Sequence, residues 1–174
     1  MGTSRLTESV ADAGPLIHLA EVGRLGLLAI FSRVHIPGAV WSETVGAGRV
    51  ESLDMESGFQ AQLHDIDPVS EVLPSGEDAL SKLQRGEVEA LCLARKLAVP
   101  LLLTDDLAVR DVCRQRSVTP VGSLGIVVRA SRCGRISVEQ AERCLIRLHR
   151  ESSLFVSAAI VEMAMAQLRS ALDR

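Results

Sequence analysis

The chain has 174 residues, of which 47% are hydrophobic and only 2% aromatic, and its formal net charge is −3. This length suffices for one domain with its own core, and the hydrophobic content excludes a disordered chain. The small negative charge excludes a basic protein that coats nucleic acid, and the scarcity of aromatic residues favours helices on a Leu- and Val-rich sheet over a β-sandwich.

The first half of the chain alternates short apolar strands with helical patterns. Three strands are predicted, at residues 9–12, 34–36 and 62–66. The helical segments among them lie at residues 15–23, 25–31 and 39–45. Pro15 suits the first turn of a helix and Gly23 suits its end. Residues 46–58 are polar with spaced glycines, which predicts a loop or a mobile helix.

The second half continues the alternation. Two strands are predicted, at residues 101–103 and 120–122. The predicted helices begin at Ser75, Gly86, Leu107, Leu124, Ser137 and Ser157, with the last three ending near residues 132, 150 and 172. Ser123 is predicted to cap the helix after the fifth strand, and Ser137 opens a capping box. Strands that alternate with helices indicate an α/β fold with a parallel sheet and right-handed crossovers.

Acidic residues follow the strands or open the buried helices at several points. They are Asp12, Glu43, Glu87, Glu89, Asp105 and Asp106. The carboxyl ends of parallel strands share one edge of the sheet, where ligands bind in open α/β sheets, and the first turns of the helices start there. Converging carboxylates cannot all stay charged without a cation. Oxygen ligands favour Mg²⁺ or Mn²⁺, and a paired-metal site of this kind cleaves phosphodiesters.

Several of these residues also have a simpler interpretation. A single acid after a strand is often only a helix cap or a partner of the helix dipole. Thr104 or Asp105 suits a cap of the next helix, and Thr104 suits orienting water at a metal equally well. His18 is most simply a helix histidine with satisfied hydrogen bonds, and Trp41 a core residue. The arginines that follow the fourth and fifth strands favour a solvated helix face over contacts to RNA phosphates.

Four segments, in this order and spacing, resemble the PIN-domain nucleases, which include the VapC-type toxins of toxin–antitoxin pairs. The segments are VADAGPLI at 10–17, IPGAVWSE at 36–43, GEVEA at 86–90 and LTDD at 103–106. The trailing VGSLGI at 121–126 resembles a stand-alone prokaryotic branch of unassigned function. The resemblance covers about residues 9–133.

The resemblance implies a three-layer α/β/α fold, with a five-stranded parallel sheet in the order 3-2-1-4-5, and hydrolysis of RNA at an Mg²⁺ or Mn²⁺ site. It implies Asp12 and Glu43 as the first two metal ligands. The third acid is usually Asp in the toxins, and Glu87 or Glu89 would replace it here. The Gly-Glu-x-Glu-Ala motif resembles that of the related flap endonucleases, where both glutamates bind metals. Asp105 or Asp106 would be the fourth. The catalytic set is therefore predicted as Asp12, Glu43, Glu89 and Asp106.

One PIN-like domain is expected over residues 1–174, with a core at about 9–133 and a helical extension at about 137–172 that packs on the sheet or forms a homodimer. RNA is the expected substrate, and an antitoxin-like protein a further partner. A non-catalytic PIN-like protein that binds RNA or a partner is the alternative.

Other classes fit less well. A phosphorelay receiver domain needs an acidic pair after the first strand and a Lys after the fifth, where this chain has Asp12-Ala13 and Gly122-Ser123. No Gly-Lys-Ser/Thr occurs, which excludes a P-loop.

Four cysteines occur, and no two have the CxxC spacing of many zinc sites. This pattern favours small core residues in a reducing compartment over a zinc site or a disulfide framework. No apolar run reaches the length of a membrane span, and no signal-peptide core follows the first residues. We therefore expect a cytoplasmic protein without membrane association.

Overall fold

The computed structural model describes residues 7–52, 59–66 and 82–170. In these ranges five parallel strands form one sheet in the order β3-β2-β1-β4-β5. The strands are β1 (Ser9–Ala11), β2 (Val34–Pro37), β3 (Ala61–His64), β4 (Leu101–Leu103) and β5 (Thr119–Val121). The predicted α/β class and strand order are confirmed.

Helices cover both faces of this sheet. They are α1 (Ala13–Glu21), a 3-10 helix (Leu25–Ile30), α2 (Gly38–Trp41) with a π-helical turn after it (Ser42–Gly46), α3 (Arg85–Lys96), α4 (Leu107–Gln115), α5 (Ser123–Arg132), α6 (Val138–Glu151) and α7 (Ala158–Arg169). None of the helices in the described ranges is long and apolar enough to cross a membrane.

Two hydrophobic cores lie on opposite sides of the sheet. Leu101 and Leu103 of β4 pack into the larger core, and Leu102 between them packs into the smaller one. This alternation is that of a strand buried on both faces. The smaller core is built with α3 and α4, whereas α1, α5, α6 and α7 contribute to the larger one. The C-terminal helices therefore pack into the same core as the sheet.

Several element boundaries differ from the sequence predictions. The segment at 25–31 forms a 3-10 helix, β5 begins one residue earlier than expected, and α7 ends at Arg169. The cap of α5 is Gly122, so the prediction that Ser123 caps this helix is wrong. The helix start predicted at Ser75 lies outside the described residues, as does part of the predicted 46–58 loop.

Candidate active site

A pocket of about 580 Å³ opens beside the carboxyl ends of β1 and β4. Five of the six acids selected from the sequence line it: Asp12, Glu43, Glu87, Asp105 and Asp106. They arrive from the end of β1, the turn after α2, the first turn of α3 and the loop after β4. The parallel topology explains this convergence, because each β-strand and each helix start delivers its residues to the same edge.

Asp12 is the most deeply buried of these acids. Its Oδ1 accepts a hydrogen bond from the Ala13 backbone N–H at 2.7 Å, and its Oδ2 accepts one from the Thr104 hydroxyl at 3.0 Å. The pKa of Asp12 is raised to about 7, mainly by burial and also by the charges of Glu87 and Glu43, and the two hydrogen bonds partly oppose this rise. Near neutral pH the Asp12 carboxyl is therefore poised between its protonated and ionised forms.

Thr104 connects Asp12 to the other acidic strand end. Its side chain is fully buried, and its hydroxyl oxygen accepts a hydrogen bond from the Asp106 backbone N–H at 3.2 Å while donating to Asp12. Asp106 is the cap of α4, because its Oδ1 accepts from the Val109 N–H at 3.0 Å. The cap is therefore Asp106, so the interpretation of Thr104 or Asp105 as the cap of this helix is wrong, and the Asp106 side chain also faces the pocket.

Glu43 and Glu87 approach one another across the start of α3. The Glu43 carboxylate lies against Gly86, where a Cβ would stand 2.9 Å from both of its oxygens. Glu87 completes a capping box, its Oε2 accepting from the Gln84 backbone N–H at 2.8 Å. Burial, followed by the charges of Asp106 and Glu43, raises the pKa of Glu87 against that hydrogen bond. The charges of Glu43 and Glu87 thus act on Asp12, and those of Asp106 and Glu43 act on Glu87, which indicates that the four carboxylates lie near one another.

Asp105 is held differently. Its Oδ1 accepts from the Ser123 backbone N–H at 2.7 Å, and its Oδ2 accepts from the Ser123 hydroxyl at 2.5 Å and lies 2.8 Å from His18 Nδ1. These contacts use both carboxylate oxygens to join α1, β4 and α5. Asp105 therefore orients His18 and the start of α5 at the wall of the pocket.

Glu89 does not line the pocket with Glu87. Its side chain is only 1% exposed; Oε2 accepts from the Ala39 N–H at 2.9 Å and Oε1 from Arg85 Nε at 2.8 Å. The Ala39 N–H belongs to the first turn of α2, where backbone donors need partners from outside the helix. Glu89 thus fixes the short helix that leads to Glu43.

Sequence reasoning missed three residues of the pocket. His18 was interpreted as a satisfied helix histidine, which its Nδ1 contact with Asp105 agrees with, but its position in the pocket wall was not predicted. Arg49 and Phe155 also line it, from segments with no sequence motif. Only one local signal pointed to the Asp105 contacts, namely the small residues Gly122-Ser123 directly after a strand. A Cβ at Gly122 would stand 2.7 Å from Asp105 Oδ1.

The donor set fits a hard divalent cation in its chemistry. In the described ranges no group of three or more His, Cys, Asp or Glu side chains is already arranged as a metal site. Five carboxylates nevertheless line one pocket, and besides burial the charges of neighbouring acids raise the pKa values of Asp12 and Glu87, so that these carboxylates repel one another. A cation relieves such repulsion, and carboxylate oxygens are the ligands that Mg²⁺ and Mn²⁺ prefer.

Comparison with known proteins identified a family. A family model described as "PIN domain" matches residues 8–170. Searches of curated proteins and of solved structures found no match. The matched range continues through α6 and α7, beyond the residues 9–133 on which the sequence resemblance rests.

Proposed function

We propose that this chain, which belongs to the PIN-domain family, hydrolyses RNA with a divalent cation held in the acidic pocket. PIN domains are generally nucleases, and the three-layer fold here is nuclease-like. The observation that carries the proposal is the convergence of four carboxylates from four separate segments on one pocket. The VapC-like toxin role and the choice of RNA are finer parts of the same proposal.

We assign the proposed metal ligands as Asp12, Glu43, Glu87 and Asp106. The charges of Glu87 and Glu43 act on the buried Asp12, which supports the first three, and the charge of Asp106 on Glu87 supports the fourth. Glu87 replaces the Glu89 of the sequence prediction because Glu89 is occupied at the start of α2. Asp105, also selected from the sequence, is assigned a positioning role.

A bound Mg²⁺ or Mn²⁺ would supply the positive charge that activates water and stabilises the leaving oxygen. The chain's own residues prepare this pocket. Ala13 and Thr104 fix both oxygens of Asp12, and the Thr104 hydroxyl couples Asp12 to the backbone of Asp106. Glu89 fixes the start of α2 and thereby the approach of Glu43. Such fixed ligands need little rearrangement during the reaction.

The test is cleavage of an end-labelled single-stranded RNA by purified protein with Mg²⁺, Mn²⁺ or chelator. We expect cleavage only with a divalent cation, and its loss in Asp12→Asn, Glu43→Gln and Asp106→Asn. Asp111→Asn is the matched control, because Asp111 lies on α4, is 67% exposed and pairs only locally with Arg114. Cleavage that survives in Asp12→Asn would contradict the proposal, and RNA binding without cleavage by the wild type would favour the non-catalytic alternative.

The biological setting is a further part of the proposal. A single domain over residues 1–174 is supported by the larger core that α6 and α7 share with the sheet. A cytoplasmic location is supported by four cysteines that are all free. The toxin role predicts that expression in a bacterial host arrests growth and that Asp106→Asn relieves the arrest. Rescue by a co-expressed neighbouring gene would identify the antitoxin-like partner.

A homodimer through α7 is the remaining part of this proposal. Ile160 and Met163 lie one turn apart on that helix and are 48% and 64% exposed, so they form a small apolar patch that a second copy could cover. Sedimentation of the wild type against Ile160→Ser/Met163→Ser tests it. A dimer that the double substitution converts to a monomer supports it, and a monomeric wild type contradicts it.

A further inference from the structure

Phe155 stands at the mouth of the acidic pocket with its side chain fully exposed. The chain has three phenylalanines, and the other two, Phe31 and Phe59, are buried. Phe155 lies between α6 and α7 and lines the same pocket as Asp12 and Glu43. An exposed phenyl ring adds nothing to the core, so folding alone does not explain an aromatic residue at this position.

The loop that carries Phe155 is anchored on the protein. The Glu21 carboxylate at the end of α1 accepts from the Ser153 backbone N–H at 2.6 Å and from its hydroxyl at 2.9 Å. Leu154 inserts into the larger core, and Ser157 caps α7 through the Ile160 N–H. The ring is therefore presented to solvent by a fixed backbone, which lowers the entropy lost when a ligand stacks on it.

A positive charge lies beside this loop. Arg49 lines the pocket, is half exposed, and has Nη2 3.9 Å from Oε1 of the same Glu21. Glu21 thus holds both a cationic side chain and the loop with the aromatic ring at the pocket. A flat apolar ring and a guanidinium that line the same pocket match the two parts of a nucleotide, since bases stack on aromatic faces and arginine binds phosphate.

We propose that Phe155 and Arg49 form a nucleotide subsite that takes an unpaired base of single-stranded RNA, stacked on the phenyl ring with a phosphate on the guanidinium. The inference rests on the proposed function, which places cleavage in the adjoining pocket. Stacking is useful here because four carboxylates repel the RNA backbone, and a stacked base is not held by charge. A base in a duplex is already stacked on its neighbours, so the subsite selects unpaired RNA.

The first experiment measures RNA affinity in an Asp12→Asn background, which separates binding from cleavage. We expect Phe155→Ala to weaken binding of a short single-stranded RNA about tenfold or more, the usual effect of losing one base–aromatic stack. Phe155→Trp should retain the affinity. Leu63→Ala is the matched control, an exposed apolar side chain on β3 that does not line the pocket. Arg49→Gln should weaken binding and reduce its salt dependence.

The second experiment moves an abasic nucleotide through the RNA. At the stacked position the missing base should weaken binding to the Phe155 protein, and Phe155→Ala should then cause no further loss. If the abasic nucleotide and Phe155→Ala weaken RNA binding independently and additively at every position, the subsite proposal is wrong. It is also wrong if Phe155→Ala changes the oligomeric state and leaves the RNA affinity unchanged, because the ring then belongs to a protein interface.

The two proposals fail in distinguishable ways. If the protein cleaves RNA with a divalent cation, but neither Phe155→Ala nor an abasic nucleotide changes RNA affinity, the subsite proposal is wrong and the ribonuclease proposal is supported. If the wild type binds RNA through Phe155 but never cleaves it, the subsite proposal is supported and the ribonuclease proposal is wrong.

Discussion

Replacing Asp12 by Asn should stabilise the metal-free protein at pH 8 far more than at pH 4.5. The pKa of Asp12 is raised from 3.8 to about 7 by burial and by neighbouring acids. The folded state therefore binds more protons than the unfolded state between these values, and stability falls as pH rises through this range. The free-energy cost of ionising Asp12 in the folded state is small below the pKa of Asp12 in the unfolded state, and it is fully present above its pKa in the folded state. Asn cannot ionise and does not carry this cost.

The magnitude follows from the two pKa values. With one pKa unit worth about 1.4 kcal/mol, ionising Asp12 costs the folded state about 1 kcal/mol at pH 4.5 and about 4 kcal/mol at pH 8. Asn retains an oxygen for the Ala13 N–H but must rearrange its contact with Thr104, which changes the free energy of unfolding by about 1 kcal/mol at either pH. The pH-dependent difference of about 3 kcal/mol therefore reports the carboxyl group itself.

Urea denaturation in the presence of chelator measures this effect, with Asp111→Asn as the exposed control. An Asp12→Asn gain of equal size at both pH values, or a loss at pH 8, would refute the assigned pKa and its cause. Adding Mg²⁺ or Mn²⁺ at a hundredfold excess over its dissociation constant should stabilise the wild type by about 2.7 kcal/mol, with a larger effect at pH 8 than at pH 5. Asp12→Asn/Asp106→Asn should show no response to metal.

Three further substitutions separate positioning from ligation. Gly86→Ala should keep or slightly raise stability, because Ala favours a helix. It should lower activity because its Cβ would displace the Glu43 carboxylate, and full activity would show that Glu43 is not needed there. Thr104→Val should cost about 1–3 kcal/mol in unfolding free energy, since it leaves buried polar partners unpaired, and an unchanged denaturation midpoint would contradict this. Glu87→Gln should abolish metal-dependent cleavage whereas Glu89→Gln should retain most of it, and the reverse result would restore Glu89 as the catalytic acid.

The fold was predictable because its main features are local patterns. The buried β4 triplet, the capping box at Ser137 and the alternation of strands and helices each specify one element, and the crossover rule then gives a parallel sheet. The exact element ends were less accessible. Ser123 looks like a cap in sequence, yet its hydroxyl is used by Asp105, and Gly122 takes the cap position instead.

The acids could be identified from the sequence because each follows a strand or opens a helix. Their separate roles could not be predicted. Glu87 and Glu89 are two residues apart, which on a helix turns them to different sides, and only the position of α2 decides which side faces the pocket. The His18 contact with Asp105 joins α1 to the end of β4 across 87 positions of sequence. Arg49 and Phe155 likewise reach the pocket through tertiary packing, which no local pattern encodes.

The glycines at the pocket have a consequence for how this sequence can drift over generations. A Cβ at Gly86 would meet Glu43, and one at Gly122 would meet Asp105, Arg110 and the backbone of Thr104. Each glycine is therefore constrained by an acid distant in the chain, so that shortening the acid frees the glycine to change. Related sequences in which Glu43 is replaced should more often have a larger residue at position 86. This paired replacement would identify relatives that keep the fold but have lost the proposed metal-dependent activity.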